Sequence, residues 1–230
     1  TGAGANQTVT NDGNSDLQPD WLWIKRRNAG YGHVLVDSNR GLGSSNPPYL
    51  ASEASDAENS NQNWISGVGT DSFTIGINEQ NLSNTSGTYV AWQWKANGGT
   101  TSSNTDGSIT STVQANTDAG FSIVTYTGAA SAGTIGHGLG VAPKVVLVRA
   151  RSRISSWVMF HEDGSTSDDD YFVLQSTAAK GTQAGLWNNQ YPSSTVFGVS
   201  TDLWLNANGS TYVAYCFAEK QGYSKFGKYV

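Results

Sequence analysis

The sequence predicts an all-β protein made of two tandem antiparallel β-sandwich units, jelly-roll or lectin-like, related by an internal duplication. One observation is the alternation of β-branched and aromatic runs with clusters of Gly, Asn, Ser and Thr, which is typical of short strands joined by turns. A second observation is a long repeat. The block Pro19–Asp37 returns as the block Pro143–His161, at a constant separation of 124 residues (19 to 143, 37 to 161).

The repeat continues along the rest of the chain. The block Tyr89–Trp94 is echoed by Tyr212–Phe217, 123 residues later (89 to 212). Three single aromatic residues between these blocks also recur, namely Tyr49 as Tyr171, Trp64 as Trp187 and Phe73 as Phe197. Repeated units usually serve architecture or multivalent binding, whereas a catalytic site needs one copy, so the duplication favours a non-enzyme.

Each predicted strand rests on its β-branched and aromatic content. In the first unit the predicted strands are Trp21–Arg27, His33–Asp37, Tyr49–Ser52, Phe73–Ile77 and Tyr89–Lys95. In the second they are Lys144–Arg151, Trp157–His161, Tyr171–Ser176, Val196–Val199 and Tyr212–Glu219, and Gly120–Tyr126 and Gln221–Tyr229 add one further strand per period. Strands that are apolar on both faces, such as Trp21–Ile24, predict central strands of facing sheets. The only helix-like stretch is Ala51–Asn59, with a weaker match at 178–183.

We expect the first unit to span residues 1–126, with a linker-like insert at 97–116, and the second to span 127–230. The insert has no counterpart in the second unit, although Gly107–Val113 alternates and predicts an edge strand. Both ends of the chain correspond to the same position within the repeat: Thr1-Gly2 resembles Thr127-Gly128, and Gly222–Val230 resembles Gly120–Thr127. This correspondence predicts that the chain is two repeats of a longer array.

Composition excludes several kinds of partner. The net charge of −5 leaves no basic surface for nucleic acid. No stretch is apolar over the length of a membrane span, so membrane insertion is not expected. The single cysteine, Cys216, forms no disulfide framework and is predicted to be buried in the run Tyr212–Phe217.

No pattern of reactive residues supports catalysis, and no cofactor is predicted. The acidic run Asp168-Asp169-Asp170 lacks the alternating ligands of a calcium loop and is interpreted as a solvated turn. His33, His137 and His161 have no zinc-site spacing, so no metal is predicted. Serine-nucleophile and phosphate-loop motifs are absent. Carboxylates such as Glu53, Asp56 and Asp71 could form an acid/base pair, so a glycan hydrolase is a third hypothesis.

Aromatic residues are the remaining candidates for a binding site. Trp21, Trp23, Trp92 and Trp94 lie on paired predicted strands, where core packing is the favoured interpretation. Five aromatic residues in or beside loops are the candidate ligand-binding residues, because such rings stack on sugars or anchor protein contacts. They are Trp64, Trp187, Trp204, Tyr31 and Tyr191. The recurrence of Trp64 as Trp187 slightly favours a structural role for that pair.

Several phrases in combination resemble a known family. They include QPDWLWIK (Gln18–Lys25), GTYVAWQWKANG (Gly87–Gly98), HGLGVAPKVVLVR (His137–Arg149) and TYVAYCFAEKQGYSKFG (Thr211–Gly227). The chain resembles, over nearly its whole length, the tandem-repeat module of long structural proteins of marine tailed phages. The resemblance implies a virion location in a tail fibre or appendage, other virion subunits as partners, and contact with the host surface. It also implies a homo-oligomer, with the trimer as the common fibre form. A lectin-like domain that binds host polysaccharide is the alternative.

Overall fold

The structure is a computed structural model that describes residues 1–44, 46–60 and 63–229. Strands make up 37% of the chain and helix 3%, which confirms the predicted all-β class. The chain divides into two compact units, unit 1 (Thr1–Gly99) and unit 2 (Thr100–Val230). The boundary therefore lies before the insert's strands and not at 126/127 as expected from the repeat. Residues 100–126 belong to unit 2 because Phe121–Thr127 pairs with its last strand, Thr211–Phe217, and Ser111–Asn116 pairs with Phe121–Tyr126.

Unit 1 is a sandwich of two three-stranded antiparallel sheets. Its strands are β1 (Gln7–Thr10), β2 (Trp21–Arg26), β3 (His33–Asp37), β4 (Ile65–Gly69), β5 (Ser72–Ile75) and β6 (Tyr89–Trp94). The sheet orders are β3-β2-β6 and β1-β5-β4. Alternate residues of the strands face the space between the sheets, and the core there includes Leu22, Val34, Ile65 and Phe73.

Unit 2 has one large and one small antiparallel sheet. Its strands are β7 (Ser102–Asn104), β8 (Ser111–Asn116), β9 (Phe121–Thr127), β10 (Gly133–Gly136), β11 (Val145–Ala150), β12 (Val158–His161), β13 (Asp170–Val173), β14 (Gly181–Thr182), β15 (Val196–Val199) and β16 (Thr211–Phe217), and its helix is α1 (Leu203–Asn206). The eight-stranded sheet has the order β14-β13-β12-β11-β16-β9-β8-β7, and β10 pairs with β15. The core of unit 2 joins Val146 and Val148 of β11 to Ile135 and Phe197 of the small sheet.

The two units repeat the same internal pairings. In unit 1, β2 lies between β3 and β6, with Trp21 opposite Asp37 and Trp94; in unit 2, β11 lies between β12 and β16, with Val145 opposite His161 and Phe217. The pair β1–β5 likewise corresponds to β10–β15, with Val9 opposite Phe73 and Ile135 opposite Phe197. Shared order and register are what the proposed duplication requires.

The outcome for individual predicted elements is mixed. The strands that repeat as long apolar blocks are present, as β2, β3, β6, β11, β12 and β16. Tyr49–Ser52 is not a strand, since only isolated bridges join Leu50 to Leu35 and Tyr49 to Asn59. Gln221–Tyr229 is not a strand either, and Ala51–Asn59 is not a helix. Residues 97–116 contain β7 and β8 and so are more than a linker.

Candidate functional site

Trp64 and Trp187 lie in the cores of their units and do not line a surface groove. Trp64 is 8% exposed and its ring lies 4.2 Å from that of Tyr49, while Trp187 is 1% exposed. The indole N–H of Trp187 donates to the carbonyl oxygen of Asp170 at 3.0 Å. Neither ring can stack on a ligand, so their assignment as binding residues was wrong. Both make the core contacts that the recurrence had favoured.

The other three candidate residues each contact a different side chain. Trp204 is half-buried in α1 and packs edge-on against Tyr171, with ring centroids 5.4 Å apart. Tyr31 is 39% exposed and carries the Arg26 guanidinium over its ring at 4.9 Å. Tyr191 is 46% exposed and its ring contacts Phe160. Tyr31 and Tyr191 are therefore the predicted binding residues that keep an accessible ring face.

In the acidic run of unit 2, Asp170 accepts hydrogen bonds from several neighbouring residues. This carboxylate is buried and accepts hydrogen bonds from the Thr166 backbone N–H at 2.6 Å, from the Thr182 hydroxyl at 2.7 Å and from the Lys180 ammonium. The Lys180 ammonium and these donors hold the pKa of Asp170 well below its usual value. The interpretation as a solvated turn was therefore wrong for Asp170, because its donors are protein groups. Within residues 1–44, 46–60 and 63–229, no group of three or more acidic, His or Cys side chains could hold a metal.

The carboxylates of unit 1 also bind backbone groups of their own unit. Glu53 accepts the His33 N–H at 3.1 Å, and Asp71 accepts the Leu17 N–H at 3.0 Å. Asp20 was not predicted from the sequence; it is fully buried and accepts three backbone N–H groups, from Ala96, Gly98 and Gly99, at 2.7–2.9 Å. Buried carboxylates that accept backbone hydrogen bonds stabilise the fold of unit 1.

Two histidines are held neutral by their surroundings. The Trp23 indole N–H donates to Nδ1 of His33 at 2.7 Å, and the Leu139 N–H donates to Nδ1 of His137 at 3.2 Å. Burial lowers the pKa of both imidazoles, and for His137 the bond to the Ser193 carbonyl opposes that shift. An Nδ1 that accepts a hydrogen bond cannot carry a proton, so the geometry and the pKa directions agree.

Strand β6 presents an exposed tryptophan and a sheet edge. Trp92 is 44% exposed, and its ring packs edge-on against Trp23, with centroids 6.0 Å apart. The sequence placed Trp92 in a core, which was wrong because β6 is the last strand of its sheet and pairs only with β2 among the described strands. The counterpart of Trp92 in β16 is Tyr215, which is fully buried because β9 pairs with β16 on its other side.

A cavity opens beside the same strand on the core face of unit 1. Its volume is ≈170 Å³ and its walls are mostly apolar. The lining includes Val9, Ile24, Phe73, Leu82 and Tyr89. Thr1 and Gly2 also line this partly open cavity.

Comparison with known proteins gives one family and no characterised relative. No curated protein and no solved structure matches the chain. In the part that the structure describes, no helix is both long and apolar enough to cross a membrane. A family model described as a domain of unknown function, DUF7483, matches residues 1–230. The chain belongs to the DUF7483 family.

Proposed function

We propose that the chain is a non-enzymatic structural and adhesion module of a phage virion, located in a tail fibre or another appendage. The observation that carries the proposal is the set of phrases that resemble marine phage repeat modules, above all Gln18–Lys25 and Gly87–Gly98. The module works through repeated weak contacts, with other virion subunits as partners and a homo-oligomer, such as the trimer common in fibres, as its assembled form.

Two features of the molecule support an architectural role. The residues that recur most faithfully between the units are strand and core residues, such as Phe73 with Phe197 and Tyr89 with Tyr212. The carboxylates Glu53, Asp71 and Asp170 hold backbone and side-chain donors of their own unit. A hydrolase would instead need two carboxyl groups facing a cleft at about 5–9.5 Å from each other.

Immunogold electron microscopy of phage particles that carry this gene tests the location. Antibodies raised against the isolated chain are expected to label tail fibres or another appendage of intact virions. Labelling of a head protein alone, or of infected cells without any label on purified particles, would refute the proposal. Particles of an unrelated tailed phage, treated in parallel, control for nonspecific labelling.

The alternative is a lectin-like domain that binds host polysaccharide. Exposed rings favour it, namely Tyr31, Trp92 and Tyr191, because an accessible ring face can stack on the apolar face of a sugar. A glycan array separates the two functions, since an architectural module binds nothing there. If glycans bind, Tyr31→Ala and Tyr191→Ala should weaken binding, whereas Tyr223→Ala, at another exposed tyrosine, is the matched control.

A further inference from the structure

We propose that unit 2 carries a binding site for an acidic oligosaccharide, formed by threonine hydroxyls and the Arg151 guanidinium on the face of the large sheet that is opposite the core. This inference specifies a ligand for the adhesion part of the proposed function and rests on that part alone, so its failure would leave the location in a virion untouched. The site uses neither Tyr31 nor Tyr191, and all of its residues lie in unit 2.

The strand register brings three threonines and one arginine into line across four neighbouring strands. Thr127 of β9 lies opposite Thr211 of β16. Continuing the β8–β9 register by one residue beyond its first pair places Thr110 beside Thr127. The Arg151 N–H donates to the Thr211 carbonyl at 2.7 Å, so Arg151 lies on the other side of Thr211. The order across the sheet is therefore Thr110, Thr127, Thr211 and Arg151.

Two further hydroxyls lie beside this row on the same face of the sheet. Thr112 is opposite Thr125, and the two follow the row by two residues along β8 and precede it by two along β9. Because alternate residues of a strand face the same side, the five threonine side chains project from one face. The residues between them face the core, as the buried ring of Tyr126 shows.

These threonines and Arg151 line one cavity of unit 2, whose volume is ≈200 Å³. The hydroxyls that have no hydrogen-bond partner among the described residues are those of Thr110, Thr125, Thr127 and Thr211. No acidic side chain lies among the described residues that line the cavity. The cavity therefore offers hydroxyls that donate and accept, together with a cation, and no carboxylate that would repel an anion.

The chemistry and the length of the row select the class of ligand. Threonine hydroxyls match the hydroxyls of a sugar, because both donate and accept, and a guanidinium binds a carboxylate or a sulfate through two parallel hydrogen bonds. Four strands at a spacing of about 4.8 Å make the row about 14 Å long, which exceeds one sugar ring and suits a short chain. A free inorganic anion would bind at Arg151 and leave the hydroxyls of Thr110 and Thr127 unused.

Calorimetric titration of the full chain with defined sugars tests the site. The probes are a mannuronate trisaccharide, which carries carboxylates, and a sulfated galactose disaccharide, which carries a sulfate ester. At least one of them is expected to bind saturably with a Kd below about 1 mM. The mannose trisaccharide with the same linkages, which is neutral, should bind at least about tenfold more weakly.

Each alternative result of the titration contradicts a stated part of the proposal. If neither acidic sugar binds, unit 2 has no such site. If the neutral trisaccharide binds as tightly as the acidic ones, the charge of the ligand is wrong. If inorganic sulfate binds as tightly as the sulfated sugar, the ligand is a small anion and not an oligosaccharide.

Substitutions within the row separate the site from a general effect of charge. Arg151→Gln should raise the Kd of the acidic sugar at least about tenfold, because it removes the charged pair. Thr125→Val and Thr211→Val keep the β-branched shape and remove only the hydroxyl, so each should raise the Kd about threefold or more. Their unfolding temperatures should stay within about 2 °C of the wild-type value.

Arg153→Gln is the matched control for charge. It removes an equal charge from the same loop, where the Arg153 guanidinium donates to the Leu203 carbonyl at 2.6 Å and lies outside the row. The Kd should stay within about twofold of the wild-type value. An equal loss of binding in Arg153→Gln and Arg151→Gln, or unchanged binding in both valine variants, overturns the proposal.

Discussion

Replacing Tyr126 by alanine should open a cavity in the core of unit 2. The ring is buried between Tyr212, Phe197 and the carbonyl of Leu205. Replacing a buried aromatic side chain by alanine costs about 3–5 kcal/mol, and the two ring contacts of Tyr126 place its loss near the middle of that range, at about 4 kcal/mol.

Tyr126→Phe separates the ring from its hydroxyl. Phenylalanine keeps the stacking on Tyr212 but leaves the Leu205 carbonyl without this donor, and burial of that acceptor should cost about 1–2 kcal/mol. The alanine variant should therefore be at least about twice as damaging as the phenylalanine variant. Tyr223→Ala, at a residue that is 69% exposed, is the control and should change stability by less than about 0.5 kcal/mol.

Hydrogen exchange read by mass spectrometry resolves the two units, which a single unfolding curve does not. Amides of β9 and β16 in Tyr126→Ala should lose protection by about a thousandfold, and amides of β2 should keep theirs. A loss of protection below tenfold in the alanine variant, or an equal loss in the phenylalanine variant, would contradict this prediction.

Four further outcomes follow from the buried groups. Trp187→Ala should destabilise unit 2 by about 3–5 kcal/mol, measured by urea denaturation, while leaving any glycan binding by unit 1 unchanged. Burial lowers the pKa of His33 and His137, so these side chains bind protons at a higher pH in the unfolded chain than in the folded chain. The free energy of unfolding should therefore decline as pH falls below 6.5, and replacing both residues by Gln should make it depend less on pH. Asp170→Asn should cost about 2 kcal/mol or more in urea denaturation at neutral pH; since the wild-type pKa is depressed, the carboxylate's stabilisation is present above 3.8 and lost as pH falls through the lower folded pKa. Burial raises the pKa of Cys216 to about 12, so the native chain should not react with a thiol reagent at pH 8 until it is unfolded in denaturant.

The sequence predicted the elements whose signal is local and strong. The blocks around Trp21 and Val145 are long apolar runs, and each is the middle strand of its pairings as expected. The strands β1 and β10 were missed because Gln7–Thr10 and Gly133–Gly136 each contain one large apolar residue among polar and glycine residues. Such strands form because their partners β5 and β15 are present, and that information is not local.

The candidate site was the harder part to predict. An aromatic residue beside a loop, such as Trp64 or Trp187, has the same sequence signature whether its ring points inward or outward, and both point inward. Trp92 was placed in a core because it lies on a predicted paired strand, and that expectation is correct only for its repeat partner Tyr215. The difference between the two positions depends on β9, which pairs with β16 and has no counterpart beside β6 among the described strands.

The location of β9 along the chain limits how genes for such modules can recombine. The strand precedes, in the polypeptide, the loops and strands whose sheet it completes. A crossover near Thr127 would leave a β9 from one parent against a β16 from the other, so Tyr126 would have to fit a foreign interior. A crossover ahead of Ser102 would transfer the strand together with its own unit, and chimaeras joined there should fold more often.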